Sequence, residues 1–157
     1  MLIRPCAPDD PAAIYAIQLK CPQSAQWRQE DYLQLALDPL GTVLVAEAEG
    51  PTPPQVVGFA VFHRVVDEAE LRNIAVEPAH QRKGLARALL AEGIRVLGKA
   101  GVRRVFLEVR ASNDAALELY AAAGFRLIST RRNYYQDPAE DAQVMARDLS
   151  PSQDQPG

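Results

Sequence analysis

The chain has 157 residues and a formal net charge of −3. That length fits one domain, at the usual ~100–200 residues per domain, and a domain of this size buries enough surface to need no disulfide or metal staple. The acidic balance speaks against nonspecific nucleic-acid binding, which needs a basic face. Two cysteines and two histidines, scattered as Cys6, Cys21, His63 and His80, form neither a zinc pattern nor a disulfide framework.

Leu2–Arg4 reads as a short strand ended by Pro5. Asp9 reads as a helix cap, with Pro11 in the first turn, where its missing N–H costs nothing. Ile14, Ile17 and Leu19 give this helix an apolar side, and Pro22 stops it. After a loop over Gln23–Trp27, the sequence predicts a second helix over Gln29–Leu37, with Tyr32, Leu33, Leu35 and Leu37 as its apolar content. Thr42–Glu47 and Val56–Arg64 are β-rich. The Gly50-Pro51-Thr52-Pro53-Pro54 run between them suits neither strand nor helix, so the pair reads as an antiparallel hairpin with a loose loop.

Glu70–Val76 predicts a strand, interrupted by Pro78 and His80. Gly84–Ala100 predicts a long amphipathic helix. Leu85, Leu89, Ile94 and Leu97 fall near helical spacing, Arg87, Glu92, Arg95 and Lys99 suit the wet side, and Gly101 suits the stop. In the strand Arg103–Arg110, Val105, Leu107 and Val109 share a face. Asn113–Ala123 reads as a helix closed by Gly124, and Arg126–Arg131 and Ala142–Leu149 as closing strands. Ser150–Gly157 reads as a frayed polar tail. Cys6 and Cys21 read as small buried apolar residues. The order implies one α/β domain over residues 1–149, a mixed sheet with helices on both faces. With no secretory signal and no run of ~20 apolar residues, the expected location is the cytoplasm, away from membranes.

The stretch from Leu71 to Tyr120 is the most informative. After Asn73-Ile74-Ala75-Val76 comes the turn Gln81-Arg82-Lys83-Gly84, which opens the helix at Leu85-Ala86-Arg87. Unpaired N–H groups and the helix dipole suit a phosphate there, although an ordinary cap with a solvated basic turn has the same composition. It is neither a Walker loop nor a dinucleotide fingerprint. Glu108 lies in an apolar strand, opposite Leu107 and Val109, where a carboxylate is costly unless paired or working. It reads either as a reactive group or as a surface glutamate paired with an arginine. Tyr120, near the end of an Ala-rich helix, reads by itself as a core tyrosine with a bonded hydroxyl, the more frequent case for a single tyrosine. Tyr134 and Tyr135 start or flank a loop, as acceptor-cleft lining or hairpin packing, and Arg131 and Arg132 read as a solvated strand end.

Together, Ile74-Ala75-Val76, Gln81-x-x-Gly84-x-Ala86 and Asn113…Leu119-Tyr120…Gly124-Phe125 resemble the acetyl-CoA core of the GNAT superfamily over about half the chain. Leu107-Glu108-Val109-Arg110-Ala111-Ser112-Asn113, Arg131-Arg132-Asn133-Tyr134-Tyr135 and Asp141-Ala142…Met145 are similar to the bacterial ribosomal-protein-alanine N-acetyltransferases. The resemblance implies a single-domain GNAT fold with a mostly antiparallel twisted sheet. It implies acetyl-CoA as co-substrate, no metal, and a protein N-terminus as acceptor, that of a ribosomal protein in the nearer family. A GNAT enzyme acting on a small amine or a lysine is the alternative, and a CoA-binding module without turnover is a third reading. By the same resemblance Ile74, Ala75 and Val76 hold the acetyl-pantetheine arm. Arg82, Lys83, Gly84, Leu85, Ala86 and Arg87 hold the pyrophosphate, and Asn113 also contacts the cofactor. Glu108 is then the base and Tyr120 the acid. Ala86 replaces a common second glycine, Cys21–Trp27 matches the nearer family only at Trp27, and the Gly50–Pro54 loop is unlike it.

Overall fold

Runs of β-branched and aromatic residues, broken by proline and glycine, fold into a single seven-stranded sheet. The computed structural model describes residues 1–50 and 53–149. In chain order the elements are β1 (Leu2–Pro5), α1 (Pro11–Leu19), α2 (Gln29–Leu37), β2 (Gly41–Ala48), β3 (Gln55–Val65) and β4 (Glu68–Val76). A short 3-10 turn (Pro78–His80) leads to α3 (Leu85–Lys99), followed by β5 (Arg104–Arg110), α4 (Asp114–Ala122), β6 (Arg126–Tyr135) and β7 (Glu140–Asp148). The strand order is β1-β2-β3-β4-β5-β7-β6. Neighbours are antiparallel except β4 and β5, whose parallel pairing requires the crossover helix α3 between them.

Each face of the sheet carries its own core. On one face, Phe62, Leu71, Val105, Leu107 and Val109 pack with Leu85, Leu89, Leu90, Ile94 and Leu97 of α3 and Tyr120 of α4. On the other, Val43, Val45, Phe59, Val61 and Ala75 pack with Ile14 and Ile17 of α1 and Tyr32 of α2. Burying each large side chain contributes ~1.5–3 kcal/mol. Gly93 lets α3 seat closely on the sheet, since a Cβ there would lie 2.3 Å from the Phe62 ring.

The expected helices and strands are all present, with shifts at their ends. The N-cap of α1 is Asp10, not Asp9, and its carboxylate accepts from the Ala7 N–H at 2.6 Å and from Arg4 rather than capping the helix. Leu19 and Leu37 are exposed, because the apolar stripes of these short helices are narrower than their composition implied. Cys6 and Cys21 are half-buried rather than buried. β6 runs on to Tyr135, so Tyr134 and Tyr135 belong to a strand, with Tyr135 paired to Glu140 across the hairpin. The tail Ser150–Gly157, and residues 51–52 of the proline-rich loop, lie outside the described residues. No described helix is long and apolar enough to cross a membrane.

Candidate active site

β4 and β5 are paired only from Glu68–Arg104 to Glu70–Phe106. Past that rung both strands continue, β4 to Val76 and β5 to Arg110, without facing partners. On its other edge β4 pairs with β3, and the Glu77 N–H donates to the Val57 carbonyl at 2.8 Å. Antiparallel pairing alternates, so the backbone groups of Ile74 and Val76 point away from β3, into the gap, whereas those of Ala75 point back to β3. The Val76 carbonyl, on the gap side, accepts from Gln81 Nε2 at 2.9 Å and from Cys21 Sγ at 3.3 Å. Opposite, the Ala111 N–H donates to the Asp141 carbonyl and the Leu149 N–H to the Arg103 carbonyl, which turns the Glu108 and Arg110 backbone toward β4.

A bulge helps to shape this opening. Val61 pairs with Asn73 and Phe62 with Leu71, leaving Arg72 as the extra residue of β4. Side-chain direction reverses there: Leu71 faces the α3 core, whereas Asn73 and Ala75 face the α1 side. The resulting cleft, of about 450 Å³, is lined by β4 and β5, by Pro22–Gln26 of the α1–α2 loop, and by Asn113, Tyr120 and Tyr135.

Glu108 and Tyr120 reach this cleft from opposite faces of the sheet. Leu107 and Val109 are buried in the α3 core, so Glu108 projects from the other face, as strand alternation predicts. Its side chain is only 16% exposed. Oε2 is buried without a hydrogen-bond partner, and Oε1 lies 3.9 Å from Arg131, beyond hydrogen-bonding distance. Arg131 is thus more than a solvated strand end: it is the counter-charge of Glu108. Tyr120 belongs to the α3 core and packs edge-on against Phe125. Its hydroxyl bonds to no described residue, unlike that of an ordinary core tyrosine, and burial pushes its pKa up, so the phenol keeps its proton.

The turn before α3 carries a run of backbone N–H groups without partners. Arg82 and Gly84 both have left-handed backbone, φ 66 and 81, which bends successive N–H groups toward one side. No side chain caps the helix at Gly84, and the first backbone bond returning to the turn is from Ala88 N–H to the Gly84 carbonyl at 3.0 Å. The amides from Arg82 through Arg87 donate to no described residue. Arg82 and Lys83 are exposed, Leu85 is buried and offers only its amide, and Ala86 is half-buried. One guanidinium N–H of Arg87 reaches the Ala122 carbonyl at 3.3 Å, joining α3 to the end of α4. Asn113 caps α4, its Oδ1 accepting from the Ala116 N–H at 3.2 Å, and borders the cleft.

Several residues of the site were not singled out from sequence. Asn73 pins the α1–α2 loop, accepting from the Ala25 N–H and donating to the Ala25 carbonyl, each at 3.0 Å. It also donates to the Tyr32 hydroxyl at 2.9 Å, which in turn donates to Gln18. Arg72 lies over the Trp27 ring. Of the two tyrosines read from sequence as cleft lining or hairpin packing, Tyr135 lines the cleft under Arg110, 4.3 Å from guanidinium carbon to ring centre, while Tyr134 does not border it. Among the described residues no group of three or more potential ligands could hold a metal ion.

The chain is similar to known proteins in sequence and in fold. Residues 12–125 match the acetyltransferase (GNAT) family. A relative from Escherichia coli (strain K12), a [ribosomal protein bS18]-alanine N-acetyltransferase, is 51% identical over 98 residues, covering 61% of this chain and 66% of the relative. A Bacillus subtilis relative is 31% identical over 132 residues, 84% of this chain and 85% of that one. The crystal structure of the ribosomal-protein-S18-alanine N-acetyltransferase from Escherichia coli superposes with a TM-score of 0.81 at 37% identity, covering 94% of this chain and 93% of that one.

Proposed function

Because the chain belongs to the acetyltransferase (GNAT) family, we propose that it transfers the acetyl group of acetyl-CoA to the N-terminal α-amino group of a protein. The acceptor class rests on the Escherichia coli relatives, whose names specify the alanine of a ribosomal protein. The observation that carries the chemistry is a cleft lined by both a carboxylate, Glu108, and a phenol, Tyr120, neither of which accepts a hydrogen bond from or donates one to a described residue.

In this reading the amides of Arg82–Arg87 take the pyrophosphate of CoA, with Arg82 and Lys83 adding charge. The pantetheine arm lies along the gap-facing backbone of Ile74 and Val76, and Asn113 borders it. An α-ammonium has an ordinary pKa of ~7.7–8.0, so at neutral pH it must lose a proton before it attacks. Glu108 takes that proton, directly or through water. The amine nitrogen attacks the thioester carbon, and the Val76 N–H stands at the strand end to receive the developing oxyanion. The carbon–sulfur bond then breaks, Tyr120 protonates the departing thiolate, and the second proton leaving the acylated nitrogen restores the phenol. The products are an amide and free CoA. Holding the two reactants together supplies much of the rate.

The test is mass spectrometry of a peptide panel after incubation with acetyl-CoA. Peptides with a free N-terminus should gain one acetyl group, and N-terminally blocked ones should not. Acetylation of blocked, lysine-containing peptides would overturn the assignment of the acceptor. Glu108→Gln should lower turnover by roughly 10²–10⁴ while acetyl-CoA still binds. Wild-type turnover in that variant would remove Glu108 from its role.

A further inference from the structure

A second arginine shares the face of Glu108. Arg110 is two residues on along β5, and strand alternation puts its side chain on the same side, with about 6.6 Å of strand between the two. Both line the cleft. Yet Arg110 does not pair with Glu108, whose Oε2 is buried without a partner. Its guanidinium is turned instead toward the β6–β7 hairpin. Nη1 donates to Glu140 Oε1 and to the Pro138 carbonyl, each at 3.3 Å, and the guanidinium carbon lies 4.3 Å from the centre of the Tyr135 ring. Glu140 opens β7, pairs across the hairpin with Tyr135, and stands behind the cleft wall rather than in it. Its other oxygen, Oε2, accepts from the Ser112 N–H at 2.6 Å, which fixes the carboxylate beside the β5–α4 turn.

Resting on the reading of Glu108 as the base, we propose that Glu140 is a positioning residue that keeps the base free, by holding Arg110 against Tyr135 and away from Glu108. An arginine beside an unpartnered carboxylate gains a charge-assisted pair by swinging onto it. Such a pair would occupy the oxygens that take the proton of the α-ammonium, and a bonded guanidinium makes a carboxylate a weaker base. Three contacts on the other side compete with it: a second carboxylate, a carbonyl and an aromatic face. Of these only Glu140 carries the opposite charge, so it decides on which side Arg110 rests. Its grip on the Ser112 amide keeps it in place to do so. Arg131, the other cation near Glu108, stays at 3.9 Å and leaves the oxygens unbonded.

The experiment measures kcat, peptide KM, acetyl-CoA affinity and Tm for wild type, Glu140→Gln, Arg110→Met, the Glu140→Gln/Arg110→Met double variant and Glu108→Gln. Glu140→Gln keeps an oxygen for the Ser112 N–H but loses the charge that holds Arg110. The turn should therefore stay in place, with Tm and acetyl-CoA affinity kept. Its kcat should fall roughly ten-fold or more as Arg110 closes on the base. Adding Arg110→Met should restore kcat to within about twofold of Arg110→Met alone, a rescue that a merely structural role for Glu140 would not give. Wild-type kcat in Glu140→Gln, or a double variant no faster than Glu140→Gln, would overturn the proposal. So would an Arg110→Met variant as slow as Glu140→Gln, because Arg110 would then act in the reaction directly. An active Glu108→Gln would instead overturn the base assignment on which the proposal rests.

Discussion

Asn73 Nδ2 donates to the Tyr32 hydroxyl at 2.9 Å, tying the middle of β4 to α2 directly beside the cleft. The amide also holds Ala25 through both its N–H and its carbonyl. The loop that lines the cleft is therefore positioned by one buried side chain of the strand it faces.

Asn73→Ala should orphan the two Ala25 backbone groups and leave the Tyr32 hydroxyl one donor short. A cost of ~1–3 kcal/mol follows from leaving buried polar groups unpaired. The loop should loosen, so KM for the peptide should rise more than kcat falls, with acetyl-CoA affinity nearly kept. Urea unfolding and steady-state kinetics check the two halves separately. An unchanged peptide KM would mean that the loop does not shape the acceptor side.

Gly84 sits at φ 81 with open space where a Cβ would go. Gly84→Ala should therefore cost ~1–2 kcal/mol of left-handed strain without a clash. If the turn relaxes to relieve that strain, the amides of Arg82–Arg87 lose their common direction. Calorimetric titration should show acetyl-CoA binding weakened at least roughly tenfold, about the effect of ~1.4 kcal/mol, while peptide KM changes little. Equal binding by wild type and variant would dissociate this turn from the pyrophosphate.

What could be read in the sequence was local. Leu85, Leu89, Ile94 and Leu97 announce α3 by spacing alone, and all are buried. The direction of Glu108 follows from its neighbours in one strand. Arg131 was not legible as the partner of Glu108, because its position depends on the pairing of β5 with β7 and of β7 with β6, and no local pattern records either. Asn73 was hidden likewise: its direction is set by the bulge at Arg72, and its partners lie on α2 and the α1–α2 loop. Tyr135 was read as the edge of a loop because Asp137-Pro138 follows it, whereas pairing with Glu140 extends the strand.

Asp10 provides a pH-dependent test of the fold away from the cleft. Burial pushes its carboxyl up, but bonds from Arg4 at 2.7 Å and from the Ala7 N–H at 2.6 Å outweigh that and hold it below its ordinary value. A depressed folded-state value contributes stability above the unfolded pKa of ~3.9, and that stability is lost as pH falls through the folded value. Asp10→Asn should therefore destabilise the protein by ~1.5–3 kcal/mol at neutral pH, the range for hydrogen bonds to charged groups. The gap to wild type should close below about pH 4. Urea midpoints measured from pH 7 down to 3 check this, and a gap that stays constant would assign the loss to packing.

Tyr120 separates chemistry from packing most cleanly. Its ring is buried against Phe125, and its hydroxyl bonds to no described residue. Tyr120→Phe keeps the ring and removes only the proton donor. A core tyrosine with a bonded hydroxyl loses ~0.5–1.5 kcal/mol on such a change. Here no such bond exists to lose, so Tm should hold or rise slightly. Turnover should fall by roughly 10²-fold or more if the phenol protonates the departing thiolate. Acetyl-CoA affinity should stay within about twofold, since the hydroxyl acts on a charge that develops only as the carbon–sulfur bond breaks. Thermal melts, binding titrations and single-turnover rates on the same preparation test all three. A variant with lowered Tm and wild-type turnover would return Tyr120 to the core and leave the thiolate to be protonated by water.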